Sequence, residues 1–209
     1  MVDRVKLGKA SKARGSGFET EVANKLCAWY KDKDAFYRVP ASGALEWSTS
    51  MNVDGDVTAN PKINFPYMIE CKRYENWNIE NLLRNNLHFP AWVAQSVREG
   101  HAIKRIPFLV YKRNYHPIYV TAPFSRTIAN TLDPYVVKTI EYNSEEHEGK
   151  ESIKTITFFL DDMLKLSKDK VYSLYPTDWY KQVKKAKVKK HKVKDPMLVA
   201  NQALEGLDL

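Results

Sequence analysis

The chain has 209 residues, of which 44% are hydrophobic, enough for the core of an ordinary folded domain. The net charge of +8 is concentrated near the ends: residues 1–14 carry +4, and residues 181–194 hold eight lysines and no acid. No apolar run approaches the ~20 residues of a membrane span, and a signal-peptide pattern is absent from the N-terminus. These features argue against a disordered, membrane or secreted protein, and we expect a cytoplasmic protein of a bacterium, an archaeon or a virus-infected cell.

Both basic segments flank a nearly neutral body, an arrangement typical of arms that contact phosphates and release counterions. A solubilising tail is the simpler alternative for a lysine run. The two cysteines, Cys27 and Cys71, lack a zinc-type spacing, and we expect both to be reduced. A glycine loop for nucleotide phosphates is also missing, so no nucleotide cofactor is expected.

The first half of the chain predicts a basic arm at 1–14, then a helix with Ser16 as its N-cap. Apolar residues at helical spacing mark the buried face of this helix: Phe18, Val22, Leu26 and Trp29. A strand at 35–40 and a polar loop at 41–52 follow. Two further strands, 53–59 and 67–73, are joined by a turn rich in proline and asparagine.

The second half predicts a helix at 91–102 with Pro90 near its first turn, and strands at 106–113 and 117–122. Residues 15–122 therefore form an α/β core, a mixed sheet flanked by helices. Beyond it we predict a C-terminal α+β extension at 123–180, packed on or near the core. Its elements are a hairpin of 136–143 with 153–160 and a short helix at 161–169. Residues 181–209 form a lysine-rich tail and a terminal segment.

The predicted hairpin of 53–59 with 67–73 carries an unusual set of charges. Glu70 and Lys72 point to the same face of their strand, and Asp56 can lie beside Glu70. Two close carboxylates repel unless a cation lies between them, and Mg²⁺ prefers oxygen ligands. With Lys72 beside the attacking water, the set is typical of metal-dependent phosphodiester hydrolysis. The simpler alternative is an internal Glu70–Lys72 ion pair with an incidental Asp56.

Four segments occur in an order that resembles a known family: RGSGFETEVANKL, YRVPASG, GDVTA and IECKR. The chain resembles, over residues 12–122, the archaeal-type Holliday junction resolvases of the PD-(D/E)xK nuclease superfamily. This resemblance implies a restriction-endonuclease-like fold. It implies that Glu19 joins Asp56 and Glu70 around a metal, that the Cys71 main-chain carbonyl is a further ligand, and that Lys72 is the catalytic lysine.

The same resemblance gives Arg38 a place in the active site or on DNA, and Ser42 a place in a DNA-contacting loop. Two departures from the family pattern stand out. Gly55 replaces the proline of the superfamily name, and Thr20 stands where many resolvases carry arginine, which removes one phosphate contact.

Several of these residues have alternatives. Glu19 lies three residues after Ser16 and can instead close a capping box, and Glu21 competes for its role as the helical acid. Gln95 lies where many superfamily members carry a supporting polar residue, although an exposed glutamine is the simpler expectation. Trp47 can stack on an exposed base or pack down onto the protein.

We therefore expect a Mg²⁺-dependent DNA endonuclease, with Mn²⁺ as a substitute, that resolves branched DNA during recombination, repair or replication. Two symmetric nicks call for a C2 homodimer. The expected DNA contacts come from the arm, core and tail: Lys12, Arg14, Arg38, Ser42, Arg73, Lys184, Lys185 and Lys187. Three rivals remain: another nuclease of this superfamily, a DNA-binding protein without catalysis, and a basic RNA-associated protein.

Overall fold

The computed structural model describes residues 4–39, 55–86, 88–144 and 148–176, with side chains from Gly15 onward. Its helices are α1 (Arg4–Tyr30), α2 (Ile79–Arg84), α3 (Phe89–Ala102), α4 (Arg126–Ala129), α5 (Leu160–Met163) and α6 (Lys168–Tyr172). Its strands are β1 (Phe36–Arg38), β2 (Val57–Ala59), β3 (Tyr67–Arg73), β4 (Ile106–Lys112), β5 (Tyr119–Pro123), β6 (Val136–Asn143) and β7 (Lys150–Phe159).

The seven strands form one mixed sheet in the order β1-β2-β3-β4-β5-β7-β6. Only the β3–β4 pair is parallel among these described strands, with Glu70 opposite Leu109 and Lys72 opposite Tyr111. A parallel pair needs a crossover connection, which α2 and α3 supply here. The sheet therefore confirms the predicted α/β architecture, with β3 near its centre.

Each face of the sheet is covered by helix, so β3 and β4 are buried on both sides. The first core joins α1 to one face and includes Phe18, Val22, Ile69 and Val110. The second core joins α2 and α3 to the opposite face through residues such as Val93, Val97, Leu109 and Tyr111. Strands covered on both faces are apolar nearly throughout, which makes a charged pair on β3 conspicuous.

Helix α1 differs from its prediction at the N-terminal end. It begins at Arg4, so the Ser16 N-cap prediction is wrong, and the backbone of 4–14 continues the helix. Ser16 lies inside the helix, where its carbonyl accepts a hydrogen bond from the Thr20 hydroxyl at 2.9 Å. Lys, Ala and Arg before Gly15 are strong helix formers, which explains the continuation. A capping box between Ser16 and Glu19 is therefore excluded.

The last two strands lie within the segment that we assigned to a C-terminal extension. Strand β7 pairs with β5, from Tyr119 opposite Phe159 to Pro123 opposite Thr155. Strand β6 pairs with β7 at the edge of the sheet. The predicted hairpin therefore forms and continues the central sheet. In the described part of the chain, no helix is both long enough and apolar enough to span a membrane.

Candidate active site

Asp56 is placed by a backbone turn at the start of β2. Gly55 has φ of +90°, in the left-handed region that glycine tolerates best. The following Asp56 amide donates to the Ile69 carbonyl at 2.8 Å, which holds the turn against β3. A proline at position 55 is excluded because its ring fixes φ near −65°. The glycine thus gives Asp56 a geometry that the proline of the superfamily name cannot give here.

The Asp56 side chain points at β3, where its Oδ2 accepts a hydrogen bond from the Cys71 main-chain N–H at 2.8 Å. It is only 8% exposed. Asp56 also repels the carboxylate of Glu70, and this repulsion contributes to the pKa of Glu70. The structure therefore brings together the two carboxylates that the sequence placed on one hairpin.

Glu70 is almost fully buried, with 3% of its surface exposed. Its Oε1 accepts hydrogen bonds from Lys72 Nζ at 2.5 Å and from Gln95 Nε2 at 2.8 Å. Burial first, then repulsion from Asp56, raises the pKa of Glu70 to about 8, although Lys72 acts in the opposite direction. One lysine and one amide do not fully compensate this charge, so at neutral pH the site favours a protonated Glu70 or a further cation.

Lys72 keeps its positive charge in this environment. Burial lowers its pKa, but the charge of Glu70 and the hydrogen bond to it outweigh that effect, and the net pKa is raised above the usual value. The side chain is therefore a hydrogen-bond donor to the Glu70 carboxylate. The Glu70–Lys72 ion pair that the sequence offered as the simpler alternative is present.

Helix α3 supplies two polar residues to the same face of β3. Gln95 is half-buried and bridges Glu70 Oε1 at 2.8 Å and Glu99 Oε1 at 2.9 Å, so the expectation of an exposed glutamine is wrong. The charge of Glu99 raises the pKa values of both Glu70 and Lys72. Sequence reasoning missed Glu99, although its spacing of four from Gln95 places both on one helix face.

Cys71 faces the first core, opposite to Glu70 and Lys72. Burial, followed by the charges of Asp56, Glu70 and Glu19, raises the pKa of its thiol well above the usual value. The thiol therefore stays protonated and is not a nucleophile. The charges of Asp56, Glu70 and Glu19 thus all act on this thiol, from the start of β2, from β3 and from α1.

The two candidate acids of α1 each have a cationic partner. Glu19 Oε2 contacts Arg38 Nε of β1 at 2.5 Å, and the Glu21 carboxylate contacts Lys112 Nζ of β4 at 2.6 Å. Glu19 is the better buried of the two, with 15% of its side chain exposed against 39% for Glu21. Glu19 also acts electrostatically on Cys71. These contacts favour Glu19 as the acid directed to the site.

The remaining predicted residues lie further from these acids or outside the described residues. Arg73 ends β3, where its guanidinium donates to the Asn114 side chain and lies 3.9 Å from Glu75. Ser42, Trp47 and three tail residues lie outside the described residues: Lys184, Lys185 and Lys187. Lys12 and Arg14 belong to α1 by their backbone, and their side chains are likewise outside the description.

The side chains that could bind a metal ion at this site are carboxylates, so their donor atoms are oxygen. Within the described ranges, no group of three or more His, Cys, Asp or Glu side chains is arranged to hold a metal ion. Among the residues that the structure describes, Asp56 and Glu70 are the buried carboxylates and they repel each other, while Glu19 is paired with Arg38. A cation at this point would therefore take part of its coordination from main-chain carbonyl groups or water.

Comparisons with known proteins give one match, to a family model. Searches of curated proteins and of solved structures find no match to the chain. A family model described as "Phage putative PDDEXK endonuclease" matches residues 10–173. The matched range includes the positions of Glu19, Asp56, Glu70 and Lys72, and it extends through β7 and α6, well past the segment of the initial resemblance. The superfamily is thereby confirmed, although the description is not of the archaeal resolvase type. The chain belongs to the family of phage PD-(D/E)xK endonucleases.

Proposed function

We propose that this protein is a metal-dependent endonuclease that hydrolyses phosphodiester bonds in DNA. The observation that carries the proposal is the buried pair of carboxylates, Asp56 and Glu70, with Lys72 bonded to Glu70. A pKa of about 8 for Glu70 means that its ionised form lacks sufficient positive charge nearby. A divalent cation would supply that charge, and oxygen donors favour Mg²⁺ or Mn²⁺.

The ion would be held by Asp56, Glu70 and the Cys71 carbonyl. Glu19 would become a further ligand once Arg38 leaves it to contact a phosphate. Bound there, the ion would supply Lewis-acid polarisation of the phosphate and neutralise charge that develops on it. The hydrogen bond from the Cys71 amide fixes the Asp56 carboxylate, and Gln95 fixes that of Glu70. These residues thus orient the oxygen atoms before substrate arrives.

Lys72 would act as a cation beside the reacting phosphate. Held by its hydrogen bond to Glu70, the ammonium would orient the attacking water and stabilise negative charge by donating hydrogen bonds. The water oxygen bonds to phosphorus, its proton passes to solvent, and the bond from phosphorus to the 3′ oxygen breaks. That oxygen takes up a proton, leaving a 5′-phosphate and a 3′-hydroxyl, as the family resemblance implies.

The direct test is cleavage of DNA by Asp56→Asn and Lys72→Ala with added Mg²⁺. We expect each variant to lose activity by about 100-fold or more, because each removes a group at the reacting centre. The matched controls are Asp161→Asn and Lys25→Ala, which break a surface ion pair of 2.8 Å between α1 and α5. Cleavage that persists in both site variants would reject the proposed active site, and DNA binding without any cleavage would favour a non-catalytic protein.

We further propose that the substrate is branched DNA and that the active form is a C2 homodimer. The resolvase-like motifs around Glu19, Arg38 and Lys72 support this substrate, and two symmetric nicks require two active sites. Cleavage of a four-way junction is compared with that of linear duplex of the same sequence, and the mass of the protein–junction complex gives its subunit count. Equal or faster cutting of the duplex would reject the junction preference.

The basic ends of the chain would contribute phosphate contacts. Residues 181–194 contain eight lysines, so removal of 181–209 is expected to weaken DNA binding and to flatten its dependence on salt. The slope of log affinity against log salt changes by about 0.9 per lost phosphate contact on duplex DNA. Binding is measured for the full and shortened chains at several salt concentrations. An unchanged slope would favour the alternative of a solubilising tail.

A further inference from the structure

The turn between β4 and β5 carries an aromatic side chain in an unusual position. His116 N–H donates to the Arg113 carbonyl at 3.3 Å, which closes a four-residue turn with Tyr115 in third place. Tyr115 has φ of +60° and is fully exposed. Left-handed backbone is unfavourable for a bulky residue, and such turns prefer glycine or asparagine at this place. The turn itself therefore does not explain the tyrosine.

In the described part of the chain, three other non-glycine residues have positive φ: Lys31, Asn85 and Lys104. Lys31 directly follows α1, Asn85 directly follows α2, and Lys104 lies two residues beyond the end of α3. Left-handed residues commonly end helices, so these three have an ordinary structural reason. Tyr115 lies in a strand-to-strand turn and has no such reason. Residues with a strained backbone are concentrated at functional sites, so the exposed ring of Tyr115 is a candidate functional group.

The position of the turn relates Tyr115 to the candidate active site. Tyr111, the cross-strand neighbour of Lys72, lies only four residues before Tyr115. The extended chain from Tyr111 to Tyr115, added to the spacing between β3 and β4, places Tyr115 within about 20 Å of Lys72. The Arg73 guanidinium bonds the Asn114 side chain, and the Asn114 amide donates to Glu75 at 3.3 Å. The turn is thus fastened to the strand that carries Glu70 and Lys72.

Charged side chains of both signs flank the turn. Arg113 lies 2.5 Å from the His116 ring. Arg73 and Lys112 end the two adjoining strands, where Arg73 lies 3.9 Å from Glu75 and Lys112 contacts Glu21 at 2.6 Å. A single exposed ring among charged groups offers little apolar area to another protein. It does offer a stacking surface for a nucleobase, with Arg113 in the same turn as a cation for a phosphate.

We propose that Tyr115 stacks on an unpaired nucleobase where the DNA duplex is interrupted, and so selects branched or partly single-stranded substrate. This proposal rests on the proposed nuclease function. In a continuous duplex both faces of each base are covered by neighbouring bases, whereas a branch point or a single-stranded end exposes a face. The ring would hold that base within a few nucleotides of the scissile phosphate.

The test measures binding in a Lys72→Ala background with Mg²⁺, in which cleavage is suppressed while the acids remain. The probes are a branched junction with an unpaired 2-aminopurine at the branch point and a linear duplex of the same sequence. We expect Tyr115→Asn to weaken junction binding by about 5- to 150-fold and to leave duplex binding unchanged. Tyr115→Phe and Tyr115→Trp should keep the affinity and the quenching of 2-aminopurine fluorescence.

Asparagine tolerates left-handed backbone, so the melting temperature of Tyr115→Asn should not fall. Tyr135→Asn, which removes a partly exposed tyrosine at the start of β6, is the matched control and should bind the junction normally. Unchanged junction affinity in Tyr115→Asn, or an equal loss on duplex, would overturn the proposal. The nuclease function is judged separately by Mg²⁺-dependent cleavage in Asp56→Asn, since the stacking measurement requires no cleavage.

Discussion

The carboxylate of Glu70 combines deep burial with three competing charges. Asp56 and Glu99 repel it, whereas Lys72 attracts it. The pKa of about 8 lies above the ordinary value of 4.5, so the folded protein binds this proton more tightly than the unfolded chain does. Between these pH values the folded form therefore loses stability as pH rises. Without a bound cation, the ionised site is a source of instability.

The direction of this pH dependence of stability gives a prediction for Glu70→Gln. Glutamine keeps the shape and can accept from Gln95, but it never ionises. We expect the melting temperature of the variant in EDTA to exceed that of the native chain at pH 8, with a much smaller difference at pH 5. One kcal/mol corresponds to about 2–4 °C in a chain of this size.

Melting curves of both proteins at several pH values measure this difference. Glu151→Gln, on β7 and away from the site, is the matched control and should show no comparable pH-dependent gain. A Glu70→Gln variant that is less stable than the native chain at pH 8 would contradict the expectation, because it would show that the ionised carboxylate stabilises the fold.

At the residue scale, the sequence predicts which side chains lie together when they are close along the chain. Glu70 and Lys72 share a strand face by spacing alone, and the short connection to Asp56 makes their pairing the simplest choice. Gln95 and Glu99 share a helix face, but nothing local says which way that face points. Their contact with Glu70 depends on how α3 packs across the parallel β3–β4 pair. That packing is a tertiary property, so the sequence left Gln95 open and missed Glu99.

At the element scale, the turn into β2 depends on Gly55. A Cβ atom there would lie 2.6 Å from the Ile69 carbonyl oxygen, and φ of +90° is unfavourable for any other residue. We expect Gly55→Ala to lower the free energy of unfolding by about 2–4 kcal/mol, because strain and a backbone clash act together. Cleavage should also fall, since the same turn aims Asp56 at Cys71.

Gly17 offers a matched control on α1. A Cβ atom there would meet nothing within 4 Å, and the backbone is already helical. Gly17→Ala is therefore expected to raise the free energy of unfolding by about 0.5–1 kcal/mol. Denaturant unfolding of both variants measures the two changes. A Gly55→Ala variant as stable as the native chain would show that the turn can relax away from Ile69.

Helix boundaries illustrate where element prediction fails. Ser16 has the composition of an N-cap, but the residues before it also favour helix, and α1 continues back to Arg4. Helix α2 has only six residues, and its capping box uses Asn78 and Asn81 in place of the usual serine and glutamate. A short polar segment lacks the periodicity that reveals longer helices. Pro90, by contrast, correctly marked the first turn of α3.

At the scale of the whole molecule, β7 continues the sheet directly from β5. Residues after 123 also complete both cores: Ile156, Phe158 and Val171 belong to the core that includes α1, and Ile153 belongs to the core that includes α3. The Tyr67 hydroxyl donates to the Val171 carbonyl, which ties the start of β3 to α6. The hairpin itself was predicted from the sequence, but its attachment to β5 is a non-local pairing without a local signal.

This continuity predicts the outcome of two truncations. A chain of residues 1–123 would lose the inner faces of β6 and β7 and expose β5 as an unprotected edge, which favours aggregation. We expect it to be insoluble or to lack a cooperative melting transition, whereas residues 1–180 should melt as the full chain does. Circular dichroism during heating and gel filtration measure both outcomes. A monomeric, cooperatively melting 1–123 fragment would instead show that the nuclease core is complete without β6 and β7, and that the C-terminal strands are an addition to it.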